Sequence, residues 1–294
     1  MSNPIGLISM QVARPFTREH FPWFTTFKSL GYDFVELLVP EPGELDIAET
    51  RRALDDAGLS VVLAARVNLQ RNLTGDEAAE RQAGVDYLKY AADCAAELGA
   101  PIVGGPLYGN PLVFAGRPPA PVPEDLRRQR VEWCVEGLKV AAAHARGAGI
   151  ALAVEPLNRF ETDFLSTTRQ AVDLIDLVGD PGIGLMLDTF HMHMEEADLA
   201  EAIRLAGPKT IHFQANENHR GFIGTGMTDW TSVVRALADI GYRGPISLEP
   251  FRRNDDRIGV PFAQWRPPHE DENQRLKDSA QMLRSLLAMG AHRR

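Results

Sequence analysis

The chain has 294 residues, 44% of them hydrophobic, enough for one large barrel and long for a simple sandwich or bundle, so a single domain over residues 1–294 is the default. Lysine and arginine number 31 against 40 aspartates and glutamates, a net charge of −9 that repels phosphate backbones and anionic headgroups and argues against nucleic acid or membrane as partner. The two cysteines, Cys94 and Cys134, each sit inside a helix-like stretch and read as core-packing thiols rather than a disulfide or thiolate zinc site. The amino terminus MSNPIGLISMQVARPF lacks a charged region followed by a long apolar run, and no apolar stretch approaches bilayer length, so a cytoplasmic protein is expected.

Short apolar or β-branched runs recur along the chain, each followed by a longer amphipathic segment, the pattern of βα units around a parallel sheet. The predicted strands are Ile5–Met10, Phe34–Leu38, Ser60–Arg66, Pro101–Gly105, Ile150–Glu155, Ile183–Asp188, Thr210–Gln214 and Pro245–Glu249. Most are too apolar to alternate, as strands covered on both faces are, and eight such units close a (β/α)8 TIM barrel. Helix signals lie between them: Thr17 before REHFPWFTTFKSL with Gly31 behind, and Asp229 before WTSVVRALADI with Gly241 behind. Residues 75–100 and 124–149 carry apolar side chains at three- and four-residue spacing and should pack as long outer helices. GRPPAPVPED after the fourth strand and VPFAQWRPPHEDE after the eighth read as long loops on the face where barrel active sites lie, either a lid or plain surface.

The chemistry is concentrated where the last four strands end: ALAVE in Glu155, GLMLD in Asp188, IHFQ in Gln214 and ISLE in Glu249. A parallel barrel gathers the carboxyl ends of its strands on one rim, so these four oxygen donors converge although far apart in sequence. Three carboxylates held together repel one another unless some protonate or a cation joins them. An all-oxygen set of carboxylates with one amide carbonyl suits a hard divalent ion such as Mn²⁺ or Mg²⁺. Singly, each is as well explained as a helix cap or an ion-pair partner; it is their succession at four strand ends that points to a metal. His212 lies two residues before Gln214 on the same strand face, one layer deeper, and reads as a packed core histidine.

These residues also resemble a known family. VGGPLYG at residues 103–109, VEPLNRFETDFLST from Val154, LDTFHMHMEE from Leu187, ENHRGFIGTG from Glu217 and SLEPF ending at Phe251 are similar to the sugar 3-epimerases of the xylose isomerase-like barrels, which act on D-tagatose, D-psicose (allulose) and L-ribulose. The resemblance covers nearly the whole chain. It implies that Glu155 and Glu249 are both metal ligands and the acid/base pair, that Asp188 is a further ligand, and that Glu161, His191 and Arg220 contact substrate hydroxyls and carbonyl. Mn²⁺ is the implied ion, with Mg²⁺ or Co²⁺ as alternatives. One departure stands out: the epimerases place a histidine six residues before the arginine matching Arg220, where this chain has Gln214, as the related hydroxypyruvate isomerases do.

The resemblance implies inversion at C3 of a keto sugar through a cis-enediolate, Glu155 and Glu249 working from opposite faces. With no phosphate cradle evident, an unphosphorylated substrate is expected. The same apparatus serves aldose–ketose or hydroxypyruvate-type isomerisation, or elimination from a 3-keto glycoside by a subunit acting with a partner. A homo-oligomer, dimer or tetramer, is expected, with that heteromeric partner as the alternative. An abasic-site endonuclease, built on a similar barrel, is disfavoured by the scattered histidines and the acidic charge. Gly224-Thr225-Gly226 could let a loop close over substrate, and His144, His193 and His219 receive no chemical role.

Overall fold

The computed structural model describes residues 3–109, 121–250 and 269–291. Eight parallel strands close on themselves in sequence order: β1 (Ile5–Ile8), β2 (Phe34–Leu38), β3 (Ser60–Ala64), β4 (Ile102–Gly105), β5 (Ala151–Val154), β6 (Ile183–Asp188), β7 (Thr210–Gln214) and β8 (Ile246–Leu248). The helices run between and around them: α1 (Pro22–Ser29), α2 (Ile47–Ala57), α3 (Ala78–Leu98), α4 (Glu124–Gly147), α5 (Thr168–Val178), α6 (Thr189–Glu195), α7 (Leu199–Ala206), α8 (Trp230–Asp239) and α9 (Glu272–Ala291). The expected (β/α)8 barrel is thus present, with every predicted strand in place. None of the described helices is long and apolar enough to cross a membrane.

The differences lie at the ends. β1 stops at Ile8 because Ser9–Gln11 turns into a short 3-10 helix, and β3 stops at Ala64 rather than Arg66. Glu155 and Glu249 do not close their strands but follow them by one residue. The segment after Thr17 is not one helix: Arg18–His20 forms a 3-10 turn and α1 starts afresh at Pro22. Proline lacks the N–H an interior helical position would use, so it is accommodated in a first turn. The expected caps of α8 hold: Asp229 accepts from the Ser232 N–H, and Gly241 takes φ 70° just beyond the helix end. Cys94 and Cys134 are buried free thiols in α3 and α4. Residues 116–120 and 260–268 of the two proline-rich loops, and Phe251, lie outside the described residues.

The two-residue period of a strand stacks the barrel interior in layers. On β2, Phe34, Glu36 and Leu38 share the inner face; on β7, His212 and Gln214 do; on β6, Met186 and Asp188. The lowest layer is apolar, with Phe34, Val62, Ile102, Ala153 and Met186 packed together. Gly6 makes room for it, since a Cβ there would lie 2.3 Å from the Phe34 ring. Above sits a polar layer on Glu36, and above that the rim carrying Asp188 and Gln214, which are paired in register. Outside the barrel, a second and larger apolar core joins the outward strand residues to the helices.

Candidate active site

At the rim, Glu155, Asp188, Gln214 and Glu249 are all buried, with exposures of 5%, 1%, 2% and 7%. Glu155, Gln214 and Glu249 line one cavity of about 140 Å³ together with Glu161, His191 and Arg220. Every candidate site residue except Asp188 therefore faces that cavity, and Asp188 touches it through Arg220 and His191. Four further groups, missed in reading the sequence, hold this constellation: Glu36, Asn158, Asn216 and Glu217.

Asn216 is a clamp between two strand ends. Its Nδ2 donates to Asp188 Oδ1 at 2.9 Å, and its Oδ1 accepts the Glu249 N–H at 2.8 Å. Asp188 also caps α6, Oδ1 accepting the Phe190 N–H at 2.8 Å, so its second oxygen is left for the cavity side. There the Arg220 Nη1 donates both to Asp188 Oδ2, at 2.6 Å, and to Glu249 Oε2, at 2.7 Å. The guanidinium lies over the Phe190 ring at 4.1 Å. Arg220 is held in the left-handed region, φ 57°, the one described non-glycine residue with positive φ. The loop that imposes this is tied to buried Glu217, which accepts from the Gly224 N–H, the Thr228 N–H and Trp230 Nε1. Burial works against the Glu217 carboxylate, but those hydrogen bonds outweigh it and lower its pKa. Gly224-Thr225-Gly226 is accordingly part of a braced loop: Thr225 Oγ1 also donates to the Phe222 carbonyl.

His191, on α6, is fixed from the other side. The Asn158 N–H donates to its Nδ1 at 3.1 Å, and Asn158 Nδ2 reaches both that nitrogen and Glu161 Oε1. A backbone N–H can only donate, so Nδ1 is unprotonated and the ring proton sits on Nε2. That nitrogen lies 3.6 Å from Glu155 Oε1 and 3.7 Å from Asp188 Oδ2. Burial, then the Arg220 charge, depresses the His191 pKa well below the usual range and keeps the ring neutral. Arg220 Nη2 lies 3.1 Å from His191 Nε2, so the guanidinium and the ring meet edge to edge at the cavity.

The carboxylates show the strain of their grouping. Burial, and then the charges of Asp188 and Glu249, push Glu155 well above the ordinary range; burial pushes Glu249 up to about 8 against the opposing pull of Arg220. Glu161 is raised as well, chiefly by burial. The cavity gathers Glu155, Glu161 and Glu249, with Asp188 beside them, and Arg14, Arg66 and Arg220 line it too; two observations are consistent with a divalent cation at the carboxylate rim. One oxygen of Glu155 and one of Asp188 lie within 4.8 Å of each other, near enough to share an ion, whereas Glu249 is not part of that close group. Gln214 Oε1, buried at the same rim, accepts no hydrogen bond from the described residues, an orphaned hard donor of the kind a metal satisfies.

His212 is buried, as expected of a core residue, but in a polar layer: its Nε2 lies 3.2 Å from Glu36 Oε1 and its Nδ1 3.3 Å from the Pro245 carbonyl. Glu36 could have been noticed as a charge in the middle of the apolar run FVELL. Asn158, Asn216 and Glu217 lie within or beside the quoted motifs, yet only contact geometry distinguishes them from ordinary loop residues.

Residues 24–286 match the family described as xylose isomerase-like TIM barrel. The D-psicose 3-epimerase of Agrobacterium fabrum is 32% identical over 255 residues, covering 83% of this chain and 84% of that protein. The L-ribulose 3-epimerase of Mesorhizobium japonicum is 32% identical over 242 residues, covering 81% and 78%. A solved L-ribulose 3-epimerase structure superposes with a TM-score of 0.86 at 29% identity, covering 98% of this chain and 94% of that one. With the motifs, the closed barrel and these relatives in agreement, the chain belongs to the xylose isomerase-like TIM barrel family, among the sugar 3-epimerases, and is an enzyme of the isomerase class.

Proposed function

We propose that the protein is a metal-dependent ketose 3-epimerase that inverts C3 of an unphosphorylated keto sugar. The observation that supports this reading is that Glu155, Gln214 and Glu249 line one cavity with His191 and Arg220, while Asp188 approaches Glu155 and the Gln214 Oε1 is left without a hydrogen bond from the described residues. Glu155, Asp188, Gln214 and Glu249 would hold the cation, Mn²⁺ being favoured and Mg²⁺ or Co²⁺ alternatives, because the donors are all hard oxygens. When bound, such an ion supplies the Lewis acidity that makes a proton beside a carbonyl removable and an enediolate tolerable.

The protein's own groups do the rest. Glu155 follows β5 and Glu249 follows β8, on either side of β6 and β7, so one can take the C3 proton from one face while the other returns a proton to the opposite face. Their raised pKa values let either carboxyl hold a proton near neutral pH, as alternating acid and base must. His191 and Arg220, in contact through Nε2 and Nη2 at 3.1 Å, both line the cavity and are placed to meet substrate oxygens there. Glu161, steadied by Asn158, faces the cavity to bind a hydroxyl. Ile8, Met10 and Leu38 line part of the same cavity and exclude water from the reacting carbon.

A second reading, isomerisation of a hydroxypyruvate-type keto acid, draws on Gln214 and on the putative hydroxypyruvate isomerase of Streptomyces coelicolor, 29% identical over 257 residues. Proton NMR in D2O, with Mn²⁺-loaded protein and a panel of ketohexoses and ketopentoses, separates the two. Loss of a C3 proton signal with appearance of the epimer supports the epimerase; silence on every ketose with turnover of hydroxypyruvate overturns it.

A further inference from the structure

Beneath the rim, Glu36 of β2 is a fully buried carboxylate for which the proposed reaction has no direct use. Its Oε2 accepts Gln214 Nε2 at 3.1 Å and also a short hydrogen bond from Ser247 Oγ, while its Oε1 faces His212 Nε2. Every neighbour it contacts in this layer is a donor, and every contact is buried. With Gln214 Nε2 and Ser247 Oγ both donating to Oε2 and His212 Nε2 set against Oε1, both Glu36 oxygens are engaged as acceptors.

The two ends of a glutamine amide have nearly the same shape and opposite hydrogen-bonding sense. An NH2 turned toward the rim would set two donors against the cation site; an oxygen there completes it. We propose that Glu36 is a positioning residue that fixes the Gln214 amide with its nitrogen downward and its oxygen toward the metal site. The arrangement explains two facts together: a carboxylate in the middle of an apolar strand, and a buried Gln214 Oε1 that accepts no hydrogen bond from the described residues. It is the outer-shell orientation that tunes metal ligands in general, here acting on an amide.

The inference rests on the metal reading above, and its test separates the two. Mn²⁺ binding to the metal-free full-length chain is measured by electron paramagnetic resonance of the free ion and by calorimetry, for wild type, Glu36→Gln, Gln214→Met and the double variant. Glu36→Gln keeps the shape but lets an amide face Gln214 in either sense. The expected loss of affinity is about 10- to 100-fold for Glu36→Gln, with the double variant no weaker than Gln214→Met alone. Losses that simply multiply, or a Glu36→Gln protein that binds as tightly as wild type, overturn the role of Glu36. Failure of the wild type itself to bind Mn²⁺ overturns the metal reading instead. Should Glu36→Gln not fold, NMR of the wild type with ¹³C- and ¹⁵N-labelled glutamine decides: Mg²⁺ is expected to shift the Gln214 side-chain carbonyl while its NH2 protons stay protected, and an unmoved carbonyl at saturating Mg²⁺ overturns the assignment.

Discussion

If the proposed metal site is right, Mn²⁺ affinity is expected to rise steeply between about pH 6 and pH 8, because the cation would have to displace protons from Glu155 and Glu249. Burial pushes Glu249 up to about 8, and burial with the Asp188 and Glu249 charges raises Glu155. For a single competing proton the apparent association constant is divided by 1 + 10^(pKa − pH). With Glu249 alone that is roughly 100-fold at pH 6, 10-fold at pH 7 and 2-fold at pH 8, a gain of about 50-fold across the range. Protonation of Glu155 steepens it further. Calorimetric titration in two buffers of different ionisation enthalpy counts the protons released, and the free-ion resonance signal gives the constants. The sign for stability is opposite in the metal-free protein. A carboxyl raised on folding contributes fully below its unfolded value of about 4.5, and that contribution is lost as the pH climbs through about 8. The Tm of the metal-free protein should therefore fall over that window from this group, and saturating Mn²⁺ should reverse the fall. An affinity that stays flat from pH 6 to pH 8, with no proton released, would refute the assignment of these carboxylates as ligands.

Glu155→Gln and Glu249→Gln should each abolish exchange of the substrate C3 proton with solvent deuterium while circular dichroism remains that of the folded barrel; exchange retained in both variants removes the two-carboxylate mechanism. Asn216→Ala leaves the buried Glu249 N–H without its acceptor and frees one Asp188 oxygen, so chemical denaturation should show a loss of about 1–3 kcal/mol, together with weaker Mn²⁺ binding; an unchanged midpoint and affinity would reduce Asn216 to a spectator. Phe34→Ala empties the space that Gly6 leaves for the ring and should cost about 3–5 kcal/mol in the same assay, with Mn²⁺ affinity preserved wherever the variant is folded, because Phe34 is not among the residues that line the site cavity.

Much of the architecture was legible because it is written in local patterns. Apolar strands of three to six residues alternating with amphipathic helices can bury their faces in few ways, and the closed order from β1 to β8 follows from that alternation. The rim was legible for the same reason: once the strands are parallel, Glu155, Asp188, Gln214 and Glu249 must share one end, whatever lies between them in sequence. The boundaries were less legible, since one 3-10 turn after Ile8 and one proline at the start of α1 move an end without disturbing the pattern.

What the sequence by itself determined, then, was the barrel and the end at which Glu155, Asp188, Gln214 and Glu249 lie, because strand period and chain direction are properties of consecutive residues. The tertiary structure decided how those donors are held. Glu36 reaches Gln214 across 178 positions of chain and Ser247 across 211, Asn216 joins two strand ends, and Asn158 sets the tautomer of His191 from another loop. Such contacts depend on the stagger of neighbouring strands and the height of each side chain within the closed barrel, quantities that no short window of sequence contains.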